Sequence, residues 1–177
     1  VPFTIRDFQP SDFDTLWRID QDCFAPGISY SRTELKLYIR RRGSFTLLAI
    51  DAAAPGPAML VPDSGKPENH SSSIASTPVV GFIVAEADRQ GHGHIITIDV
   101  IAAARRAGVG SLLLRAAEDR LSVAYCRSVE LETAVDNVSA LSFYKRHFYS
   151  VIRTFPRYYS NGVDALVLQK DLAPYLP

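Results

Sequence analysis

The run "GHIITIDVIA" at 93–102 constrains the fold of this chain more than any other stretch. It is almost continuously apolar and too short to span a bilayer, which suits a strand covered on both faces. Directly after it comes "RRAGVGSLLLRAAED" (105–119), with Gly108 and Gly110 ahead of a leucine-rich segment. Val109, Leu112, Leu113, Ala116 and Ala117 recur at helical spacing, so this helix has one apolar face to lay on a sheet. The same turn has the makings of a phosphate cradle. Glycine lets a backbone come close, and the free N–H groups and dipole of a helix start favour an anion. A tight turn that binds nothing would use the same residues. Two nucleotide patterns are excluded: no lysine follows Gly110, as a Walker loop requires, and Leu113 stands where a dinucleotide fingerprint needs its third glycine.

The rest of the chain repeats the alternation of strands and helices. "FTIRDFQ" (3–9) alternates as a first strand. Ser11 is the expected N-cap of a helix carrying Phe13, Leu16, Trp17 and Ile19, which "APGIS" breaks. Ser31 and Glu34 form a capping box ahead of "LKLYIRRR". Strands are expected at 44–51, 78–88, 93–102 and 128–135. Asn137 caps "VSALSFYKRH", and "FYSVIRTFPRYY" and "DALVLQK" read as closing strands around a turn at Asn161–Gly162. The segment 52–77 is rich in Ala, Pro, Gly and Ser and is expected to be a long flexible loop, either a tolerated insertion or a peptide-binding lid. The order predicts a mixed α/β layered domain, with the 177 residues forming a single unit.

Composition removes several function classes. Formal net charge is zero, which argues against a surface built to grip nucleic acid, although Arg105 and Arg106 make a local basic pair. No apolar run approaches the length of a membrane span. The start "VPFTIRDFQP" lacks the charged and apolar regions of a secretion signal, and Val1 in place of Met suggests trimming or a boundary. Cys23 and Cys126 are the only cysteines; their spacing suits neither a metal site nor a disulfide framework, so free thiols in a reducing cytoplasm are expected. No metal is expected, and no sequence signature supports Cys23 as a nucleophile.

The pattern Arg105-x-x-Gly108-x-Gly110, after a buried strand and before "SLLL", resembles the acetyl-CoA pyrophosphate loop of the GNAT acetyltransferase superfamily. "FTIRDFQPSDFDTLWRIDQDCF" resembles that family's opening strand and helix. "DNVSALSFYKRHFY" resembles its N-x-x-A-x-x-[FL]-Y-x-x-x-G-F segment, and "RYYSNGVDALVLQKDL" its closing hairpin. Within the superfamily the chain is most similar to protein N-terminal acetyltransferases, both the bacterial RimI type and eukaryotic catalytic subunits. "CFAPGISYSRTEL" resembles their substrate-side loop, and "PRYY" the tyrosine pair that holds a peptide's first residues. Three departures stand out: "IAAA" replaces the usual proline before the pyrophosphate loop, His147 replaces a glycine before Phe148, and "FAPGISY" is longer than the matching motif.

The resemblance implies the α/β GNAT fold, a central mixed and mostly antiparallel sheet flanked by helices. It also implies acetyl-CoA as cofactor, released as CoA, and a protein or peptide N-terminus as acceptor. A small amine or a lysine side chain is the alternative acceptor, and an acyl-CoA-binding module without turnover is the alternative of another class. Glu132 matches the glutamate base of RimI-type enzymes, whereas Glu130, of the same strand parity, does not. His94 falls where eukaryotic relatives carry a base-assisting tyrosine. Tyr144 is the candidate acid: a tyrosine near pKa about 10 can protonate a thiolate near about 8.5. Asn137 and Tyr144, seven residues apart, share a helix stripe that would follow the cofactor's pantetheine arm. Ile98 and Val100 would offer backbone groups, and Gly108, Val109, Gly110 and Ser111 would hold the pyrophosphate, with Arg105 and Arg106 adding charge. Phe24, Pro26, Tyr30, Tyr158 and Tyr159 would contact the acceptor. The sequence leaves acceptor identity, partner subunits and oligomeric state open.

Overall fold

A computed structural model of the chain describes residues 3–24, 27–52 and 78–173. Seven strands and four α-helices follow in chain order: β1 (Phe3–Asp7), α1 (Phe13–Cys23), α2 (Arg32–Arg40), β2 (Ser44–Asp51), β3 (Val79–Ala87) and β4 (His92–Val100). Then come α3 (Val109–Val123), β5 (Ser128–Ala134), α4 (Val138–Arg146), β6 (Ser150–Phe155) and β7 (Ala165–Asp171). The strands form one sheet in the order β1-β2-β3-β4-β5-β7-β6. Only the β4–β5 pair is parallel; its neighbours are antiparallel. This is the mixed, mostly antiparallel sheet expected.

Strand alternation divides the core between the two faces. Leu47, Ala49, Ile83, Ala85, Ile95 and Leu131 pack with α3 through Val109, Leu113, Leu114, Ala117 and Leu121. Leu48, Ile50, Phe82 and Val84 pack on the other face with Leu16 and Ile19 of α1 and Leu35 of α2. Both faces are covered, which is why β2 and β3 read as continuous apolar runs. The buried stripe of α3 includes Leu114 and Leu121, whereas Leu112 and Ala116 are only half-buried.

Local chemistry sets most boundaries. The Ser31 hydroxyl accepts the Glu34 N–H at 3.2 Å and the Ser31 N–H donates to the Glu34 carboxylate at 2.8 Å, so the capping box forms. Asn137 Oδ1 caps α4 by accepting the Ala140 N–H at 3.1 Å. Ser11 is not the cap of α1. It lies inside a short 3-10 turn, Pro10–Asp12. Asp12 accepts the Gln9 N–H there and pairs with Arg6 at 2.7 Å, so the carboxylate organises this entry. β4 ends at Val100, two residues early, because Ala102–Ala104 tighten into another 3-10 turn. β6 stops at Phe155, short of the tyrosine pair, and Arg157 then takes a left-handed backbone, φ 51°. The 52–77 segment lies outside the described residues apart from Ala52.

One feature of the sheet prepares a site. β4 and β5 pair only over His92–Ile95 against Ser128–Leu131. Beyond that point β4 continues to Val100 and β5 to Ala134 without pairing with each other. A kink accompanies the parting: the β3–β4 register skips Ile96, between the Val84–Thr97 and Ala85–Ile95 pairs.

Candidate active site

At the mouth of this parting a row of titratable side chains crosses three strands. Glu86 on β3 is in register with His94 on β4, and His94 with Glu130 on β5. Glu132 lies just past the last paired residue, Leu131, and its Oε2 is 2.7 Å from His94 Nε2. His94 Nδ1 is 3.8 Å from Glu86, which also pairs with Arg41 at 3.1 Å. The two candidate bases thus form one dyad, and "GHGH" contributes to a strand. Burial disfavours the His94 imidazolium. The Glu132 hydrogen bond, with the charges of Glu132, Glu86 and Glu130, outweighs it and raises the pKa above the ordinary value.

Next to β4, the last turn of α1 grips the backbone of Tyr30 from both ends. The Tyr30 N–H donates to Asp20 Oδ2 at 2.9 Å, and Gln21 Nε2 donates to the Tyr30 carbonyl at 2.8 Å. The Tyr30 hydroxyl donates to the Ile96 carbonyl at the kink, 3.3 Å away, and its ring lies 5.1 Å from that of Tyr38. Ser160 Oγ donates to the Gly27 carbonyl at 2.8 Å, tying the β6–β7 turn to the turn before Tyr30. Tyr158 and Tyr159 meet edge to face at 5.1 Å. Burial raises both phenol pKa values, Tyr159 to about 12, and the Glu132 charge adds to each. Tyr158 and Tyr159 thus lie within reach of the Glu132 charge, and both in turn act on the Tyr30 hydroxyl. Phe24 is half-buried at the end of α1, its N–H bonded to the Asp20 carbonyl. Pro26 lies outside the described residues.

At the far end of β4, the Ile101 N–H bonds the Val80 carbonyl of β3. By strand alternation, the backbone groups of Val100 and Ile98 then face the parting. Gly108 has φ 88°, and a Cβ there would meet nothing within 4 Å, so this glycine supplies a left-handed turn in open space. Gly110 serves packing instead, since an added Cβ would sit 3.3 Å from the Phe143 ring. Val109 is buried, leaving only its backbone for a ligand. Arg105 does not reach over the turn. Its Nε donates to the Val100 carbonyl at 3.0 Å and its guanidinium reaches Cys23 Sγ at 3.6 Å. Arg106 is exposed with φ 62°. Ser111 Oγ is 2.9 Å from His147 Nε2. Asn137 spends its Oδ1 on the Ala140 N–H and the Ser139 hydroxyl, both at 3.1 Å. Tyr144 is buried in the core against Phe143 and Tyr149; burial, Asp99 and Tyr159 hold its hydroxyl protonated by raising its pKa.

Sequence reading missed three residues at this site. Asp20 and Asp99 are 0% and 1% exposed, and each has one carboxylate oxygen without a hydrogen-bond partner among the described residues. Burial raises Asp20 to about 6 and lifts Asp99 well above the carboxylate range, with the Asp20 charge adding to the latter. A lone aspartate inside the apolar run of β4 was the available signal. The third, His147, stood out in the sequence only as a replaced glycine and not as a site residue; the left-handed backbone is that of Phe148, φ 68°, on which the glycine of the resembling segment falls. Cys23, its thiol pKa raised by burial and the Asp99 charge, has no thiolate character. No helix among the described residues is long and apolar enough to cross a membrane.

Known proteins resemble the chain in sequence and in fold. The family model described as "Acetyltransferase (GNAT) family" matches residues 14–148. An uncharacterised N-acetyltransferase of Methanocaldococcus jannaschii is 39% identical over 93 residues, 52% of this chain and 59% of that protein. The N-alpha-acetyltransferase daf-31 of Caenorhabditis elegans is 30% identical over 103 residues, 55% of this chain and 57% of that protein. The chain thus spans little more than half the length of these curated relatives. In fold it resembles Ard1 from Thermoplasma volcanium, with a TM-score of 0.76 at 24% identity over 98% of this chain and 99% of that one. The ribosomal-protein-S18-alanine N-acetyltransferase from Escherichia coli gives 0.73 at 15% identity over 98% and 96%. With most of its length matched by the family model, the chain belongs to the Acetyltransferase (GNAT) family.

Proposed function

We propose that the protein is an acetyl-CoA-dependent acetyltransferase acting on the α-amino group of a protein or peptide N-terminus. The observation that carries this reading is the 2.7 Å Glu132–His94 contact at the parting of β4 and β5, beside the Tyr30, Tyr158 and Tyr159 cluster.

The residues present fit acetyl-CoA. The first turn of α3 has unspent N–H groups at Val109, Gly110 and Ser111 beside the open Gly108 turn, the usual chemistry of an anion site. Ile98 offers its backbone groups and Val100 its N–H along the parting, the Val100 carbonyl being taken by Arg105, and an extended arm can pair there as a missing strand does. Acetyl-CoA supplies an acetyl group activated as a thioester. The chain's own residues do the rest. Glu132, held by His94, takes a proton from the incoming ammonium directly or through water. An α-amino group titrates near about 7.7–8.0 and lysine near about 10.4, so a half-exposed carboxylate–imidazole pair suffices for the former. A backbone N–H of Ile98 or Val100 steadies charge on the acetyl oxygen. Tyr144, kept protonated by burial, holds the proton that the departing sulfur needs. Tyr30, Tyr158 and Tyr159 line the approach of the peptide's first residues.

A binding module without turnover would have no use for the dyad. Mass spectrometry of paired peptides, one with a free N-terminus and one blocked but carrying lysine, tests the proposal. One acetyl group on free N-termini alone supports it. Acetylation of the blocked lysine peptides replaces the acceptor, and binding of acetyl-CoA without transfer to either peptide refutes the α-amino reading.

A further inference from the structure

We propose that His147 positions Ser111 as a hydrogen-bond donor to the diphosphate of acetyl-CoA and takes up a proton when that diphosphate binds. The inference rests on the acetyl-CoA reading above and adds a residue to it.

Four residues close a circuit between the first turn of α3 and the last turn of α4. Ser111 Oγ is 2.9 Å from His147 Nε2. The His147 ring lies 4.7 Å from the Phe143 ring, and Phe143 in turn fills the space left by Gly110. His147 itself caps α4, its N–H bonded to the Tyr144 carbonyl at 2.9 Å. Phe148, directly after it, takes a left-handed backbone, φ 68°, at the place where the resembling segment has its glycine.

The link controls what Ser111 can offer. A hydroxyl has one proton. When Nε2 is bare, Ser111 donates that proton to His147 and turns only lone pairs toward an anion. When Nε2 carries a proton, His147 donates to Ser111 Oγ, and the hydroxyl proton is free to donate to a phosphate oxygen. An anion therefore selects the Nε2–H form, and its charge favours the imidazolium, whose added proton comes from solvent. No covalent bond is made or broken.

The groups facing the imidazole are Arg115 and Glu118 of α3, Arg146 of α4 and Lys170 of β7. Burial is the main influence lowering its pKa, Lys170, Arg146 and Arg115 add to it, and only Glu118 opposes. His147 is thus mainly neutral near pH 7 in the free protein and has a proton to gain.

Calorimetric titration with CoA tests this, using the full chain near pH 6.5 in two buffers of different ionisation enthalpy. Wild type should take up more protons than His147→Gln, which keeps an N–H donor at the Nε2 position but does not titrate. His147→Gln should bind within about twofold of wild type at pH 8. His147→Ala should bind about tenfold more weakly, the worth of one charge-assisted contact. Equal proton uptake by wild type and His147→Gln, or unchanged affinity in His147→Ala, overturns the inference alone. Failure of wild type to bind CoA overturns the acetyl-CoA reading and this inference with it.

Discussion

Asp20 offers a quantitative test of how the structure around Tyr30 is built. Its carboxylate is fully buried, with Oδ2 accepting the Tyr30 N–H and the Gln21 amide at 2.9 Å each. Oδ1 has no hydrogen-bond partner among the described residues. Burial is the largest influence and drives the group from the usual 3.8 up to about 6, against the pull of the two hydrogen bonds. A rise of that size corresponds to about 3 kcal/mol. The folded state holds the proton more tightly than the unfolded chain does. Its stabilising effect is therefore complete below 3.8 and is lost as pH rises to about 6. Asp20→Asn retains an acceptor for the Tyr30 N–H, puts an N–H at the unpartnered position and removes the titration. Urea unfolding of both proteins across this range should show the difference moving in favour of Asn by about 3 kcal/mol, reaching its full extent above pH 6. A difference that stays constant with pH would refute the reasoning.

Other consequences follow from the same geometry. His94 should titrate above 6.5 by proton NMR, and Glu132→Gln should lower that value, because it removes the largest upward influence while burial remains. The acidic limb of kcat/KM should move with it. Gly108→Ala should cost about 1–2 kcal/mol in denaturant unfolding, since φ 88° is left-handed and nothing else opposes a methyl group there. Gly110→Ala presses on Phe143, so Phe143→Leu should relieve part of its cost in a double-mutant cycle. Ser31→Ala removes half of a formed capping box and should cost about 1 kcal/mol by the same unfolding assay.

The layered fold was legible because both faces of the central strands are covered and the two glycines punctuate the passage from β4 to α3. Local hydrogen-bond chemistry was legible where it runs through the side chain itself, as at Ser31 and Asn137. It failed at Ser11, where a carboxylate three residues downstream of Gln9 takes the capping role and the chain tightens first. The Glu132–His94 contact was not legible as a pair. Each residue was a separate candidate, and only the short parallel β4–β5 pairing brings them within 2.7 Å. Arg105 shows the opposite case. Its charge sits in the expected motif, but the carbonyl left by the early end of β4 captures it. Asp20 and Asp99 emerge as buried groups only in three dimensions, because their burial depends on α1 packing against β4, and His147 gains its role only because α4 lays it against Ser111 in the first turn of α3.

The most direct measurement incubates one peptide bearing both a free N-terminus and an internal lysine with acetyl-CoA, using wild type and Glu132→Gln side by side. Fragment mass spectra then locate the acetyl group over time. The account predicts acetylation of the α-amino nitrogen by wild type, slowed about 10²–10⁴-fold in the variant. Acetyl transfer to the lysine alone, or equal rates from the two proteins, would contradict it.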